Sequence, residues 1–312
     1  MTRTISSKPL EGRIACVAGA TRGAGRAIAV ELSRSGAFVY ATGRSSRVTG
    51  PSDLGRPETI EETEVLMKEA GGEGTSHRVD HLEPQQVGAL VERIEAEQGR
   101  LDILVNDIFG GDRYAEWDKP LWEHDLEGGL RMLRMGVDTH LITIAKAMPL
   151  LLKGGSGIVI EVTDGTAEFN ANFRRNVGFY YDLVKGCVDR IVKGLKVELG
   201  DLPVVALGVT PGWLRSERML EDFGVNEETW REACRERPGF AISESPAYVG
   251  RGVAALAADP EASRFAGRIL TSRQLADTYG VTDIDGSQPD CWGFIDKYGI
   301  EYEGADGIDD FR

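Results

Sequence analysis

The chain carries a glycine-rich turn, Gly19-Ala20-Thr21-Arg22-Gly23-Ala24-Gly25-Arg26, between an apolar run at residues 14–18 and a helical pattern over residues 27–32. Glycines in such a turn let the backbone bend sharply and approach a pyrophosphate, whose charge the N-terminus of the following helix stabilises. A strand, a glycine-rich turn and a helix in this order predict the first βαβ unit of a dinucleotide-binding fold. The alternative is a tight turn that binds no ligand.

Downstream of this turn, short apolar runs alternate with helical patterns. Strands are predicted at residues 38–41, 76–79, 101–105, 158–162, 204–209 and 268–270. Alternation of this kind, with nearly continuous apolar strands, predicts a parallel sheet covered by helices on both faces. We therefore expect an α/β protein with one domain over residues 1–312. Its core would be a single Rossmann-like, doubly wound parallel sheet of about seven strands.

Three segments lie outside this alternating pattern. Residues 45–58 form a polar insertion, and residues 281–312 form an acidic C-terminal extension. Ligands bind beyond the carboxyl ends of the strands in such sheets, so residues 213–244, which follow the sixth strand, are predicted to be a substrate lid. Alternatively, the aromatic residues of this segment are packing anchors only: Trp213, Phe223, Trp230 and Phe240.

Composition and charge narrow the class of protein. The formal net charge is −14, and no basic face is visible, so we expect no nucleic-acid partner. No apolar run approaches the length of a membrane span, and residues 1–10 do not resemble a secretory signal. A cytoplasmic protein without a membrane partner is the expectation. The four cysteines are scattered, and the four histidines lack metal-ligand spacing, so neither disulfides nor a metal site are predicted.

The end of the second predicted strand indicates which dinucleotide binds. An NAD enzyme places an acidic residue there to hold the ribose 2′-hydroxyl. Here the strand ends Tyr40-Ala41-Thr42-Gly43-Arg44, without an acid. The guanidinium groups of Arg44 and Arg22 are suited to a 2′-phosphate, to which each can donate two parallel hydrogen bonds. The sequence therefore predicts NADP(H) as the cofactor.

A second motif, Tyr181-Asp182-Leu183-Val184-Lys185, lies on the helix predicted after the fifth strand. Four residues apart on a helix, the tyrosine and lysine side chains share one face. The positive charge of Lys185 favours the tyrosinate and is expected to lower the pKa of Tyr181. Tyr181 would then donate a proton to a carbonyl oxygen as hydride arrives, or remove one from an alcohol.

Together, the GxxxGxG turn and the YxxxK motif resemble those of the short-chain dehydrogenase/reductase family, over about residues 10–275. Within the family, segments 256–260 and 283–286 are similar to a branch typified by mammalian dehydrogenase/reductase member 1. The resemblance implies hydride transfer between NADP(H) and a carbonyl, alcohol or imine carbon of a small molecule. It also implies a homodimer or homotetramer.

The resemblance carries further residues into the cofactor shell. Asp80 and His81 match the position beside the adenine, and Asn106 matches the first asparagine of the family's NNAG motif. Residues 211–216 resemble the family's PGxxxT motif. The cofactor-binding residues implied by turn, strand ends and motifs are Gly19, Thr21, Arg22, Gly23, Gly25, Arg44, Asp80, His81, Asn106, Lys185, Pro211, Gly212 and Ser216.

Two positions depart from the family's catalytic pattern. Asp164 stands where the family has a serine that binds the substrate oxygen, with Thr163 one residue earlier, and Gly136 replaces a catalytic asparagine. Asp164 would be a neutral donor to the substrate, an anion that pairs with a cationic substrate, or a cap of its own turn. In a further alternative it turns away and Thr163 replaces the serine. The departures also keep open an NADP-binding sensor or scaffold, or a non-redox enzyme that uses Tyr181.

Overall fold

The computed structural model describes residues 8–302, 304 and 306–312 and places a seven-stranded parallel sheet at the centre of the protein. The strands are β1 (Ile14–Ala18), β2 (Phe38–Gly43), β3 (Glu73–Arg78), β4 (Ile103–Asn106), β5 (Gly157–Val162), β6 (Val204–Thr210) and β7 (Ile269–Thr271). They are ordered β3-β2-β1-β4-β5-β6-β7 across the sheet. The predicted Rossmann-like fold, with about seven strands, is confirmed.

Helices cover both faces of the sheet. In chain order they are α1 (Gly23–Arg34), α2 (Ile60–Glu69), α3 (Pro84–Gln98), α4 (Leu126–Leu133), α5 (Thr139–Lys153), α6 (Ala167–Asn170), α7 (Phe179–Leu199), α8 (Glu217–Asp222), α9 (Pro246–Ala258), α10 (Ser272–Tyr279) and α11 (Cys291–Tyr298). Alternate residues of each strand point to opposite faces. Val17 and Val39 pack with α1 and α9, whereas Cys16 and Tyr40 pack with α3 and α5.

The sheet order changes direction beside β1, which pairs with β2 on one side and with β4 on the other. Ala18, at the end of β1, stands in register with Thr42 and with Asn106. The loops after β1 and β4 therefore diverge, which opens a crevice above the carboxyl edge of the sheet. This is where doubly wound folds bind ligands.

Two elements differ from the sequence-based expectation. β3 begins at Glu73, earlier than predicted, because it is an edge strand whose side chains are only partly covered and whose residues are mostly polar. The helical region before β5 is interrupted by a π-helical turn at Arg134–Asp138, which includes Gly136. By length and hydropathy alone, the helical stretch Leu126–Lys153 is long enough to cross a membrane, but half of it is buried within the protein. Core helices of folded domains meet the same criterion.

The three additional segments lie at the carboxyl edge of the sheet or beside the lid. In the predicted lid, Phe240 and Trp230 are buried and pack with Trp213 and Phe223 in one aromatic cluster. Trp213 also contacts a cluster formed by Phe294 and neighbouring residues of the C-terminal extension. The lid aromatics are thus packing anchors, and they fasten the lid to the C-terminal extension.

Candidate active site

A cleft of about 820 Å³ opens above the carboxyl ends of β1, β2, β4, β5 and β6. Most of the predicted site residues line it: Gly19, Thr21, Arg22, Gly23, Arg44, Asp80, His81, Gly136, Thr163, Asp164, Tyr181, Lys185, Pro211 and Ser216. Three predicted cofactor residues, Gly25, Asn106 and Gly212, do not line the cleft. The fold therefore assembles both motifs in one site.

The glycine turn is built as its sequence predicts. Gly19 and Gly23 have φ values of +89° and +56°, which L side chains rarely adopt. A Cβ on Gly19 would lie 2.2 Å from the carbonyl oxygen of Asp107, and one on Gly25 would lie 2.4 Å from the carbonyl oxygen of Gly19. Gly25 thus serves the close packing beneath the turn, whereas Gly23 opens α1 and lines the cleft.

Arg22 and Arg44 both face the end of β2, as expected, but each guanidinium already lies beside a carboxylate of the insertion. Arg22 Nη1 lies 3.3 Å from Glu58 Oε2, and Arg44 Nη2 lies 2.8 Å from Asp53 Oδ1. The side chains of all four residues are mostly buried. The acids therefore neutralise a positively charged wall of the cleft.

Asn106, predicted to contact the cofactor, does not line the cleft, because its side chain points into the sheet. Asn106 is fully buried, and its Nδ2 donates to Glu161 Oε1 at 2.7 Å. Glu161 Oε2 accepts from His140 Nδ1 at 2.5 Å, and His140 Nε2 donates to the carbonyl of Ile108 at 2.8 Å. Both ring nitrogens face acceptors, and the carboxylate of Glu161 raises the pKa of His140 against the lowering effect of burial. This network fixes the loop after β4 from below.

Gly212 likewise lies behind the cleft. Its N–H donates to Glu244 Oε2 at 2.9 Å, and a Cβ there would lie 2.6 Å from the Cβ of Cys291. Gly212 therefore allows the close approach of the C-terminal extension. Pro211 and Ser216 keep their predicted places in the lining, and Ser216 caps α8 by accepting from the N–H of Met219.

Asp80 and His81, which the family resemblance places beside the adenine, both line the cleft. His81 Nε2 lies 2.8 Å from Thr42 Oγ1, and Nδ1 lies 2.7 Å from Thr143 Oγ1. Burial lowers the pKa of His81 to about 3, so its ring is neutral at physiological pH. Asp80 Oδ1 accepts from the N–H of Leu82 and shapes the turn after β3.

Tyr181 donates a hydrogen bond from its hydroxyl to Asp164 Oδ2 at 3.2 Å. The same oxygen accepts from Arg174 Nη1 at 3.2 Å, and Arg174 Nε donates to Asp182 Oδ1 at 3.1 Å. Burial, together with the negative charges of Asp164 and Asp112, raises the pKa of Tyr181 well above its ordinary value. The expected lowering of this pKa is therefore wrong for the free protein, in which Tyr181 is a protonated phenol.

Lys185 lies on the same face of α7 as Tyr181. Its Nζ is 3.8 Å from the centroid of the Phe109 ring and 5.3 Å from that of Tyr181. The ammonium group thus rests on an aromatic face, where a cation–π attraction holds it. Its charge also opposes the rise in the pKa of the nearby Asp107 carboxyl.

The geometry distinguishes between the interpretations of Asp164. Its carboxylate contacts Tyr181 and Arg174, while Thr166 Oγ1 caps the next helix by accepting from Phe169 N–H. The capping interpretation is therefore wrong. Thr163 Oγ1 donates to the carbonyl of Lys185 at 2.9 Å, so this hydroxyl is committed to the backbone of α7. The guanidinium of Arg174 occupies one side of the Asp164 carboxyl group, with its Nη1 3.2 Å from Oδ2.

Gly136 occupies the π-helical turn between α4 and α5 and lines the cleft. A Cβ at this position would lie 2.3 Å from Val184 Cγ1 and 3.3 Å from the ring of Phe109. Isolated π-turns are frequent at functional sites. The glycine allows α7 to approach this turn closely. Val184 of α7 therefore occupies the space that the family's asparagine side chain would need.

Two functional candidates were missed by the sequence analysis. Arg174 is buried and bridges Asp164 and Asp182, but it lies in a loop without a motif. Asp107, which follows Asn106, lies under the glycine turn, and burial raises its pKa to about 7. The sequence signal for Asp107 was a carboxylic acid at the position of the second asparagine in the family's NNAG motif. The pairing of Arg174 depends on tertiary contacts and left no comparable signal.

The fold and cleft together define a doubly wound α/β protein in which a glycine-rich turn and a tyrosine–lysine pair line one cleft. The sequence profile of the family described as short chain dehydrogenase matches residues 13–224. The chain therefore belongs to the short-chain dehydrogenase/reductase family of oxidoreductases.

Individual relatives agree with this assignment. The chain is 30% identical to dehydrogenase/reductase SDR family member 1 of Mus musculus over 284 residues, covering 89% of this chain and 85% of that protein. Among solved structures, a 7α-hydroxysteroid dehydrogenase complexed with NADH and 7-oxo glycochenodeoxycholic acid matches with a TM-score of 0.67. The match has 22% identity and covers 91% of this chain and 98% of that one. A short-chain dehydrogenase from Shigella flexneri complexed with NADP also has a TM-score of 0.67, at 19% identity over 86% of this chain and all of that one.

Proposed function

We propose that this protein is an NADP(H)-dependent reductase of small carbonyl or imine compounds, with Tyr181 as the proton donor. The observation that carries the proposal is the protonated Tyr181 hydroxyl in the same cleft as Lys185 and the glycine turn. A phenol whose pKa is raised well above its ordinary value is suited to give a proton to a developing alkoxide or amine. It is poorly suited to act first as a base on an alcohol.

The cleft fits an NADP(H) molecule in three respects. The glycine turn offers a pyrophosphate the N-terminus of α1, provided that Glu217 releases the N–H of Gly23, and Gly19 and Gly23 have backbone conformations that a side chain would strain. Arg22 and Arg44 supply two guanidinium groups at the end of β2, where a 2′-phosphate would lie. His81, held neutral, adds no charge beside the adenine.

The chain's own residues would handle the proton. A bound nicotinamide supplies the hydride. Tyr181 donates its phenolic proton to the substrate oxygen or nitrogen, and the resulting tyrosinate is stabilised by the ammonium of Lys185. Asp164 accepts the phenolic hydrogen bond in the free protein, and Arg174 restrains the Asp164 carboxylate. A substrate atom that takes this hydrogen bond must therefore replace Asp164 as the acceptor.

The substrate end of the cleft is aromatic and apolar. Trp117 is half exposed, and its ring centroid lies 5.6 Å from that of Tyr181, while Phe109 meets Tyr181 edge-on at 5.7 Å. Leu214 and Met219 of the lid line the opposite wall. These walls suit an apolar or planar small molecule, with the carboxylate of Asp164 available to an iminium group.

The test is NADPH oxidation, followed spectroscopically, against a panel of ketones, quinones and cyclic imines. At least one class should be reduced by the wild-type protein and not by Tyr181→Phe. Equal rates for the wild type and this variant across the panel would contradict the proposal. The matched control is Tyr180→Phe, since Tyr180 is the neighbouring tyrosine and packs in the core cluster of Met132 and Val184.

A sensor or scaffold function has one observation in its favour. The family's serine and asparagine positions are held by Asp164 and Gly136, and a side chain at position 136 would collide with Val184. Such a protein would bind NADPH tightly and reduce none of the panel. A non-redox enzyme would instead form product without net oxidation of the cofactor.

We further propose a cytoplasmic homodimer or homotetramer acting on a small molecule. Leu126, Leu130, Leu141 and Leu183 are exposed by 41 to 61% on α4, α5 and α7, and burial of such side chains favours association. Light scattering would measure the mass of the assembly. A monomer at micromolar concentration would contradict this part of the proposal.

A further inference from the structure

The acids of the 45–58 insertion occupy the place that the 2′-phosphate would take. Asp53 and Glu58 approach the guanidinium groups of Arg44 and Arg22, the residues assigned to that phosphate. Glu217 does the same at the other anion position, because its Oε2 accepts from the N–H of Gly23 at 2.9 Å. Each predicted phosphate position is thus faced by a carboxylate of this chain.

We propose that Asp53 and Glu58 are specificity-determining residues that reduce the preference for NADP(H) over NAD(H) by competing with the 2′-phosphate for Arg44 and Arg22. This inference rests on the proposed function. Before a phosphate can take the guanidinium groups, the ion pairs within the chain must be broken or shared. A cofactor without that phosphate meets no such competition.

The two ion pairs have the geometry of exchangeable contacts. Asp53 Oδ1 is buried and lies 2.8 Å from Arg44 Nη2, yet it accepts no aligned hydrogen bond. Its other oxygen, Oδ2, lies 3.4 Å from the hydroxyl of Tyr114 and 3.9 Å from Arg131. An arginine that turned toward a phosphate would therefore leave Asp53 with partners.

Glu58 has a second partner as well. Arg56 donates to Glu58 Oε1 from Nη2 at 2.6 Å and to Oε2 from Nε at 3.2 Å. Arg22, at 3.3 Å, is the weaker of its contacts. If Arg22 turned to a phosphate, Arg56 would still pair with the Glu58 carboxylate. The free-energy cost of the exchange is therefore small.

Glu217 supplies an internal comparison. It lies at the N-terminus of α1, also 3.5 Å from Arg26 Nη1, where the pyrophosphate shared by NAD(H) and NADP(H) would lie. Removing the charge of Glu217 should therefore strengthen the binding of both cofactors alike. Removing the charge of Asp53 or Glu58 should strengthen the binding only of ligands that carry the 2′-phosphate.

Calorimetric titration with 2′,5′-ADP and with 5′-AMP, which differ only in the 2′-phosphate, tests this difference without any turnover. Asp53→Asn and Glu58→Gln should each tighten the binding of 2′,5′-ADP about two- to fivefold, the scale of a single partly exposed ion pair, and leave the binding of 5′-AMP unchanged. Glu217→Gln should tighten both. Asp277→Asn, which breaks the comparable exposed pair with Arg273 on α10, should change neither.

The outcomes separate this inference from the proposed function. If the wild type binds 2′,5′-ADP no better than 5′-AMP, the NADP(H) assignment fails and the inference fails with it. If Arg44→Ala weakens 2′,5′-ADP but neither acid variant tightens it, only the inference is overturned. Weaker binding of 5′-AMP or NADH by Asp53→Asn would show instead that this carboxylate holds the ribose hydroxyls, which also overturns the inference. Since the two acid variants are independent, misfolding of one leaves the other as the test.

Discussion

Replacing Asp107 with asparagine should stabilise the free protein, and more so at alkaline pH. The Asp107 carboxyl lies under the glycine turn, with its Oδ2 2.8 Å from where a Cβ on Gly25 would stand. Burial raises its pKa from 3.8 to about 7, and the charges of Lys185 and His140 only partly oppose this rise. Between these two values the unfolded chain has lost the proton that the folded protein keeps. Stability therefore falls as the pH rises through this interval.

The magnitude follows from the width of the interval. Each pH unit between 3.8 and about 7 removes about 1.4 kcal/mol of unfolding free energy, and above the folded pKa the loss is constant. From pH 5.5 to pH 8, the wild type should thus lose up to about 2 kcal/mol relative to Asp107→Asn. Water in the cleft, to which Asp107 is partly exposed, reduces this figure.

Urea unfolding of both proteins at pH 5.5, 6.5, 7.5 and 8.5 is the measurement. Any packing cost of the amide is independent of pH, so only the change in the difference between the two proteins matters. Burial raises the pKa of Glu244 to about 8, but its titration changes the unfolding free energy of both proteins equally. It therefore cancels in the difference between them. Asp201→Asn, an exposed site, is the control. A difference between Asp107→Asn and the wild type that stays constant over this range would refute the reasoning.

Four further predictions concern the site. Tyr181→Phe should lower the turnover of a true substrate by at least about two orders of magnitude with little change in NADPH affinity; fluorescence titration and steady-state rates measure both. In Asp107→Asn, which lacks the cleft carboxyl group whose pKa is about 7, the reduction rate should stay flat from pH 6 to pH 9, because the raised pKa keeps Tyr181 protonated. A decline centred near neutral pH in this variant would contradict the assigned acid. Arg44→Ala should weaken NADPH about tenfold and NADH little, as judged by cofactor titration, and equal losses would remove its role at the 2′-phosphate. Asp164→Asn should lower the pKa of Tyr181, because it removes the adjacent negative charge. In an alkaline titration with Tyr181→Phe as the blank, the phenolate absorption of this variant should appear at a lower pH than in the wild type, and Asp164→Ser should give the same shift. An unchanged titration in both variants would show that Asp164 is not the charge that raises the pKa of Tyr181.

The sequence was sufficient for the features that depend on local spacing. The glycine turn between a strand and a helix fixed the position of the cleft, and the four-residue interval fixed the shared face of Tyr181 and Lys185. Continuous apolar strands implied a sheet buried on both faces, as the two core clusters show. The turn and the shared helix face form wherever the sequence forms these strands and helices, whatever the rest of the fold.

What the sequence did not yield depends on contacts between distant segments. The pKa of Tyr181 was expected to follow Lys185 on its own helix, yet the structure brings Asp164 to its hydroxyl and buries it. Asn106 matched a cofactor motif but bonds to Glu161 on the neighbouring strand. Arg174 gains its partners from two different elements. Charges and burial at a site are set by the whole fold, and no short motif encodes them.

The contact between Gly136 and Val184 also constrains the order in which this protein could change over evolutionary time. Restoring the family's asparagine at position 136 in one step would place its Cβ 2.3 Å from Val184 Cγ1 and would overpack the helix that carries Tyr181. A change of Val184 to a smaller residue opens that space. The two substitutions therefore avoid overpacking only if position 184 changes before position 136.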